Sequence, residues 1–320
     1  MAEPRKSGGQ VKSFTCNICG TRCEVEAIPY EQSSCSRCGS NVRLRALAYL
    51  FTREVFGQPV QLYSIRALPG LQGFGLSDHP CYATPLQQKT AYTNTYYHCE
   101  PFLDIMAMNK DRYGSYDFIL SSDVFEHIPP PVARAFEEAF QLLNPNGFLI
   151  VTVPSGLNEQ TLEHFPGLNR YVIGSMNGEQ VMINQTREGM LEIHRDLVFH
   201  GGPGETLELR VFSRKDLETT ALAAGFSEVS FLDDNIAEFG IEYPGAWSRP
   251  FVARKKPFAL RAEHYSKPVL KEQTGEDQIG MLAEIDRLKT SSALLEQQLK
   301  KVDSSRWVRL GRSLGLGLSK

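Results

Sequence analysis

Two apolar runs with an amphipathic segment between them restrict this chain more than any other feature. "YDFILSS" (116–122) and "FLIVTVP" (148–154) are too continuously apolar to have a wet face. Between them, "PPVARAFEEAFQLL" places Val132, Phe136, Ala139, Phe140 and Leu143 on one side of a helix. Pro131 suits its first turn, and "NPNG" breaks it. Strand, helix and strand with buried strands predict a parallel sheet covered on both faces. Ligands of such sheets sit beyond the carboxyl ends of the strands. Further strands are expected in "PVQLYSI" (59–65), in "GFGLSD" ending at Asp78, and in "TNTYYHCE", which precedes Leu103-Asp104-Ile105. Asp78, Asp104 and Asp123 each follow such a run, and "SSDVFEHIPP" adds Glu126 and His127 to the same rim. A plainer reading stands beside this one. Asp78 and Asp104 suit turns, and Asp123-x-x-Glu126 fits a capping box that makes Glu126 structural.

The chain has 320 residues and seven cysteines, five of them between 16 and 38. Cys16-x2-Cys19 and Cys35-x2-Cys38 are each followed by glycine, with fifteen residues between the pairs. Each turn offers two thiolates to one tetrahedral ion, and the glycine allows the tight backbone. The spacing predicts a zinc ribbon over 1–40, with a structural zinc on Cys16, Cys19, Cys35 and Cys38 and with Cys23 a bystander. A helix begins in "NVRLRALAYLF". Its Arg43 and Arg45 suit an anionic ligand or a solvated edge equally.

An odd, clustered cysteine set suggests a reducing compartment, hence a cytoplasmic protein. The start "MAEPRKSGGQVKSF" lacks the apolar core of a signal peptide, and no run of eighteen apolar residues exists. A net charge of −3 offers no global basic field for nucleic acid.

Residues 155–209 read as an insertion within an α/β domain spanning 41–256. They contain His194, His200 and "GGPG" between the strand-like "DLVFH" and "TLELRVF". "SRKDLETTALAAGF" predicts a helix capped by Ser213 and ended by Gly225, followed by the strand "SEVSFLD". Tyr243 and Trp247 suit a sugar face or ordinary core. Residues 257–277 read as a linker. Over 278–302, Met281, Leu288, Leu295 and Val302 share one heptad position, and Ile285, Ser292 and Leu299 its partner. That pattern predicts a homo-oligomer or a helix docked on its own domain. The end, 304–320, mixes Arg306, Arg309 and Arg312 with Trp307 and leucines. This mixture suits the inner membrane surface, a glycan-assembly protein, or a frayed end.

The block "YDFILSSDVFEHIPPPVARAFEEAFQLLNPNGFLIVTVP" resembles class I S-adenosylmethionine-dependent methyltransferases with an "LEH" signature, here Phe125-Glu126-His127. The resemblance extends over about 60–231. "CSRCGSNVRLRAL" ahead of it resembles bacterial zinc-ribbon methyltransferases associated with surface polysaccharide or sugar modification. The fold implied is a Rossmann-like α/β sheet closed by an antiparallel edge, carrying the ribbon and a carboxyl-terminal helical tail. The activity implied is methyl transfer from S-adenosylmethionine to a sugar, glycan or small biosynthetic precursor. In that frame Asp78 matches the ribose carboxylate at the end of the second strand, Asp104 lies beside the adenine, and Ser121 and Ser122 lie beside the methionine part. Glu126 faces cofactor or substrate. The family's acidic residue and Gly-x-Gly loop are replaced by Ser64, Ile65 and Arg66, with Arg66 a candidate for the cofactor carboxylate. A hydroxyl acceptor must lose a proton, and a neutral imidazole suits that task. His200 is the first candidate base, with His127 and His194 behind it. No preassembled metal site for a catechol-type acceptor is evident. The altered loop supports an alternative, a non-catalytic zinc-stabilised scaffold in a glycan-assembly complex. A nucleic-acid methyltransferase fits less well, because no Asn/Asp-Pro-Pro-Tyr/Phe signature is present.

Overall fold

A computed structural model of the protein describes residues 11–200 and 206–266. The glycine loop at 201–205, the heptad segment and the basic tail lie outside the described residues. The chain opens with a hairpin, β1 (Lys12–Thr15) and β2 (Arg22–Val25), paired antiparallel. Helix α1 (Val42–Phe56) starts at Asn41, whose Oδ1 accepts from the Leu44 amide at 3.0 Å, and ends at Gly57 in the left-handed region. Phe14, Cys16 and Ile18 share one core cluster with Leu47, Phe51, Phe118 and Phe148. The ribbon expected over 1–40 is thus continuous with the α/β body, and the described residues of both belong to one compact unit.

The body is built from β3 (Leu68–Leu76), α2 (Pro80–Lys89), β4 (Thr90–Thr95), β5 (Tyr116–Ser122), α3 (Ala133–Leu142) and β6 (Leu143–Thr152). The insertion follows as short strands β7 (Ser155–Gly156) and β8 (Leu162–Glu163) and a three-stranded meander, β9 (Arg170–Met176), β10 (Glu179–Gln185) and β11 (Leu191–His194). It closes with β12 (Phe199–His200), β13 (Thr206–Leu207) and β14 (Arg210–Ser213). Helix α4 (Arg214–Ala223), β15 (Glu228–Phe231) and β16 (Phe251–Arg254) complete it. Ser213 caps α4 as expected, accepting from the Asp216 amide at 3.4 Å.

The main sheet runs β15-β16-β6-β5-β3-β4. Strands β4, β3, β5 and β6 are parallel neighbours; β16 enters antiparallel between β6 and β15. This is the Rossmann-like order that the resemblance implies, with the expected antiparallel closing edge. Phe118, Phe148 and Phe251 are fully buried, because strands covered on both faces expose neither row of side chains. On α3, Ala135, Phe136, Ala139 and Leu142 form the buried face. Each buried aromatic contributes about 1.5–3 kcal/mol. Among the described residues no helix is long and apolar enough to cross a membrane.

Two expectations are corrected. Residues 59–65 are not a strand: they hold a short 3-10 turn, Leu62–Ser64, with Leu62 buried. The first body strand is β3, which begins at Leu68, and the second is β4. Residues 257–266 are not a free linker, since Ala262–Tyr265 forms a turn beside the start of β3 with His264 buried. Gly70 permits that approach, because a Cβ there would lie 2.0 Å from the Glu263 carbonyl oxygen.

Candidate active site

A cavity of about 1310 Å³ opens at the carboxyl ends of β3, β4, β5 and β6. It is lined by Ser77, Thr95, Ser122 and Asp123 from the strand ends, with Asp104, Tyr96, Tyr171, His200 and Trp247. Ligand cavities commonly run about 300–1,000 Å³, so this one has room for a cofactor and a second molecule.

The residues after β5 are positioned by a tight local network. Asp123 has φ 53°, the left-handed region, which turns the chain sharply at the strand end. Its carboxylate accepts from the Thr152 hydroxyl at 3.0 Å and pairs with Arg43 at 3.1 Å. Arg43 also reaches Glu31 at 3.2 Å and bonds to the Ser122 hydroxyl. The capping-box reading of Asp123 and Glu126 is therefore wrong, since Asp123 is spent on Thr152 and Arg43. The following turn, Phe125–His127, is held by fully buried Arg210, which donates to the Phe125 carbonyl at 3.0 Å and the Ile128 carbonyl at 2.6 Å.

That turn carries Glu126 and His127 to His200 on β12. Glu126 is fully buried, and neither carboxylate oxygen has a hydrogen-bond partner. Burial, then the nearby Asp123 charge, pushes its carboxyl well above the usual range. Glu126 Oε1 lies 3.6 Å from His127 Nε2 and 3.7 Å from His200 Nδ1, and those two nitrogens are 3.2 Å apart. The far side of each ring is tied. His127 Nδ1 meets the Leu207 carbonyl at 2.9 Å, and His200 Nε2 meets Glu208 at 3.0 Å. Glu208 also takes His164 Nε2 at 3.0 Å. Burial lowers the His127 pKa, with the Leu207 carbonyl opposing. This convergence of Glu126, His127 and His200 was not evident from the sequence as a metal-ligand set; the pairing of His200 with a residue 73 positions earlier is a product of the fold.

The other sequence candidates divide. Asp104 faces the cavity, with Oδ1 accepting from the Met106 amide at 2.9 Å. Ser122 lines it; Ser121 is fully buried and does not. Asp78 follows β3, the first strand rather than the second, and its carboxylate turns inward to the Tyr92 hydroxyl at 2.6 Å. Burial pushes its pKa up to about 6, with the Tyr92 hydrogen bond opposing. It does not line the cavity, so its ribose role is overturned; Ser77, at φ 55°, makes the turn there instead. Ser64 and Arg66 lie before the amino end of β3, where Arg66 stacks on Tyr265 at 3.9 Å, which removes both from the cofactor set. His194 pairs with Glu192 at 3.3 Å and packs on Phe165, away from the cavity, and is not placed to act as a base. Trp247 lines the cavity edge-on to Tyr30, while Tyr243 is stacked under Arg249. Sequence reasoning left Arg43 undecided and saw no role for Glu31. Arg45, its companion, is fully buried and donates to Ser40, Ser34 and Gly240 beneath the ribbon.

The four ribbon cysteines converge, their sulfurs all within 4.8 Å of one another. Cys16 and Cys38 are 3.7 Å apart, and Cys19 and Cys35 3.5 Å. Four thiolates around zinc at about 2.3 Å would be about 3.8 Å apart, so the donor set and spacing fit that ion. Gly20 and Gly39 close the two turns with φ 77° and 72°, each amide bonding back to the first cysteine carbonyl. Cys23 stands outside the group.

Residues 82–230 match the family model of a methyltransferase domain. No curated protein matches the chain in sequence. Among solved structures, the chain is similar to the 1,6-didemethyltoxoflavin N1-methyltransferase of Burkholderia thailandensis, crystallised with S-adenosylhomocysteine. Identity is 14%, over 67% of this chain and 78% of that one, with a TM-score of 0.36. It is also similar to the CcbJ methyltransferase of Streptomyces caelestis, at 15% identity over 67% and 88% of the two chains, with a TM-score of 0.34. With the domain match spanning α2 to β15 and the cavity lying at the carboxyl ends of the parallel strands, the chain carries a methyltransferase domain and is a methyltransferase by enzyme class.

Proposed function

We propose that the chain transfers a methyl group from S-adenosylmethionine to a hydroxyl of a sugar, a glycan or a small biosynthetic precursor. The observation that carries this reading is the cavity itself. Polar groups from the ends of β3 to β5 line it beside the Glu126–His127–His200 cluster, of which Glu126 is buried. Bound S-adenosylmethionine supplies an electrophilic methyl on a sulfonium. Asp104 and Ser122 would hold its polar parts, and the backbone at Ser77 would border it. The acceptor hydroxyl then faces the cluster, which receives or directs its proton. Alignment contributes as much as proton removal in such a displacement. The aromatic edge of Trp247 offers an apolar face to a sugar ring.

The ribbon would hold a structural zinc, since four thiolates close its coordination sphere. The surface-polysaccharide association, the inner-membrane placement of 304–320 and the self-pairing of 278–302 rest on sequence resemblance and pattern alone. A scaffold reading has one observation in its favour: Ser77-Asp78-His79 stands where a Gly-x-Gly loop would follow β3.

Calorimetric titration with S-adenosylhomocysteine separates the two. The enzyme reading expects saturable binding, weakened in Asp104→Ala and unchanged in Arg66→Ala. A folded, zinc-loaded protein that binds neither S-adenosylhomocysteine nor S-adenosylmethionine would reverse the conclusion in favour of the scaffold.

A further inference from the structure

We propose that Glu126 Oε1, His127 Nε2 and His200 Nδ1 bind a divalent transition-metal ion at the wall of the cavity, and that this ion takes a vicinal diol of the acceptor. The role in transfer rests on the methyltransferase reading above; the ion site does not.

The geometry comes first. The three atoms form a triangle with sides of 3.2, 3.6 and 3.7 Å. Ligands about 2.1 Å from one ion are about 3.0 Å apart at octahedral right angles and about 3.4 Å apart in a tetrahedron. The observed triangle is that of three ligands on one face of an ion, opened by a few tenths of an ångström.

The protons make the same demand. His127 Nδ1 faces a carbonyl, which can only accept, so that nitrogen carries the hydrogen. His200 Nε2 faces the Glu208 carboxylate and is a donor for the same reason. In the neutral rings both inner nitrogens then present lone pairs to each other at 3.2 Å, with an unpartnered carboxylate beside them. Three acceptors and no donor surround one point. A proton on Glu126 would not repair this, because 3.6 and 3.7 Å are too long for O–H···N bonds. A cation at the centre satisfies all three. The outer contacts are those that orient metal-bound imidazoles: one ring on a carbonyl, the other on a carboxylate that is itself held by His164.

Glu126 is fully buried and does not line the cavity, while His127 and His200 do. The remaining coordination positions therefore open toward the acceptor, as in catalytic sites. Two imidazoles and a carboxylate suit Mn²⁺, Fe²⁺, Co²⁺ or Zn²⁺ better than Mg²⁺. Two adjacent open positions fit two neighbouring hydroxyls. Coordination acidifies one of them, and its proton leaves to solvent. Its oxygen forms the new bond to the methyl carbon as the carbon–sulfur bond breaks, and the sulfur departs as a neutral thioether. His200 is on this account a ligand rather than the base.

Mn²⁺ is the direct probe, because thiolate sites prefer zinc strongly over it. The full-length, zinc-loaded chain is freed of labile ions with a brief chelator wash, and its zinc content is measured. Mn²⁺ is then titrated while the free ion is read by electron paramagnetic resonance. We expect saturable binding of one ion per chain, competed by Co²⁺ and Zn²⁺. Glu126→Gln and His200→Ala should each weaken it by about tenfold or more, with unchanged zinc content and unchanged S-adenosylhomocysteine affinity. Two variants guard against a misfolded one, and far-ultraviolet circular dichroism checks each. Absence of saturable binding by Mn²⁺, Co²⁺ or Zn²⁺ beyond the ribbon ion overturns the site, as does binding indifferent to both variants. Metal binding that persists in a chain unable to bind S-adenosylhomocysteine would instead remove the methyltransferase reading and leave the ion site standing.

Discussion

Replacing Arg210 with methionine tests whether the Phe125–His127 turn at the candidate site is held from outside the main sheet. Arg210 has no exposed side-chain surface, and one of its nitrogens donates to both the Phe125 and Ile128 carbonyls, at 3.0 and 2.6 Å. Its Nε meets Glu163 at 2.7 Å. Hydrogen bonds from a charged donor contribute about 1.5–3 kcal/mol each. Removing one partner of a buried pair costs about 3–5 kcal/mol when the survivor stays dry. Glu163 is about one-third exposed and regains water, so its loss of a partner is cheap. The two carbonyls remain buried without a donor, while the methionine stem keeps most of the packing. The balance is about 3 kcal/mol, near the low end of that range. For a body of this size the melting temperature should fall by about 6–12 °C. Urea denaturation of the zinc-loaded protein gives the free energy directly, through a shifted midpoint at constant slope. Lys215→Gln, which breaks the exposed ion pair with Glu159, serves as the control and should cost under about 1 kcal/mol. If Arg210→Met loses under about 1 kcal/mol, or the control loses as much as the variant, the carbonyl bonds are not what holds the turn.

Two further outcomes follow from the same structure. Cys35→Ser should lower bound zinc, measured by elemental analysis, and should also lower the melting temperature of the whole described body. The cysteines share one core with Phe118 and Phe148, so a local loss confined to the hairpin would contradict that continuity. Asp78 has its pKa raised by burial to about 6, so its protonated form is the one the fold favours. The stability it contributes is complete below the unfolded value of about 3.9 and is lost as pH rises through about 6. Wild type should therefore lose about 2 kcal/mol relative to Asp78→Asn between pH 4 and 7, most of the shift at about 1.36 kcal/mol per unit. Parallel stability curves for the two proteins would show that Asp78 is not held in a desolvated site.

The legible parts of the fold were those where two signals agreed. β5, α3 and β6 combine apolar runs with a helical stripe and a breaking turn, and their boundaries fall within a few residues of the expected ones. β3 was misread because "LPGLQGFGL" contains three glycines and a proline, which normally argue against a strand. Here they serve close packing. A Cβ at Gly73 would lie 2.4 Å from the Phe118 ring, and one at Gly75 would lie 2.0 Å from both the Asp78 carboxylate and the Tyr92 hydroxyl. Residues 59–65 looked more strand-like by composition, yet Leu62 is buried in a turn instead. That single exchange shifted the strand count by one. It sent Asp78 to the wrong place in the family pattern and made Ser64 and Arg66 look like a cofactor loop. The cysteine knuckles were legible because their spacing alone dictates a converging geometry. The Glu126–His127–His200 triangle was not, since it needs β12 brought back across the end of β5 by an insertion whose path no local pattern encodes.

The ribbon is also linked to the candidate site in a way that its own sequence does not announce. Only three residues separate Cys38 from α1, and Arg43 is the second residue of that helix. The knuckle thereby fixes where α1 begins, with Asn41 closing its first turn and the Arg45 guanidinium pinned beneath the ribbon. Arg43 lines the cavity, where it meets Asp123 and Ser122 at the end of β5. Asp123 is the residue whose left-handed backbone starts the turn toward Glu126. The four-cysteine cluster and the residues of the cavity wall are therefore joined through a short path of covalent and ionic links. A ribbon retained only to stabilise a small appendage would have no need to deliver an arginine to that point. On this geometry the four-cysteine cluster is part of how the turn after β5 is held.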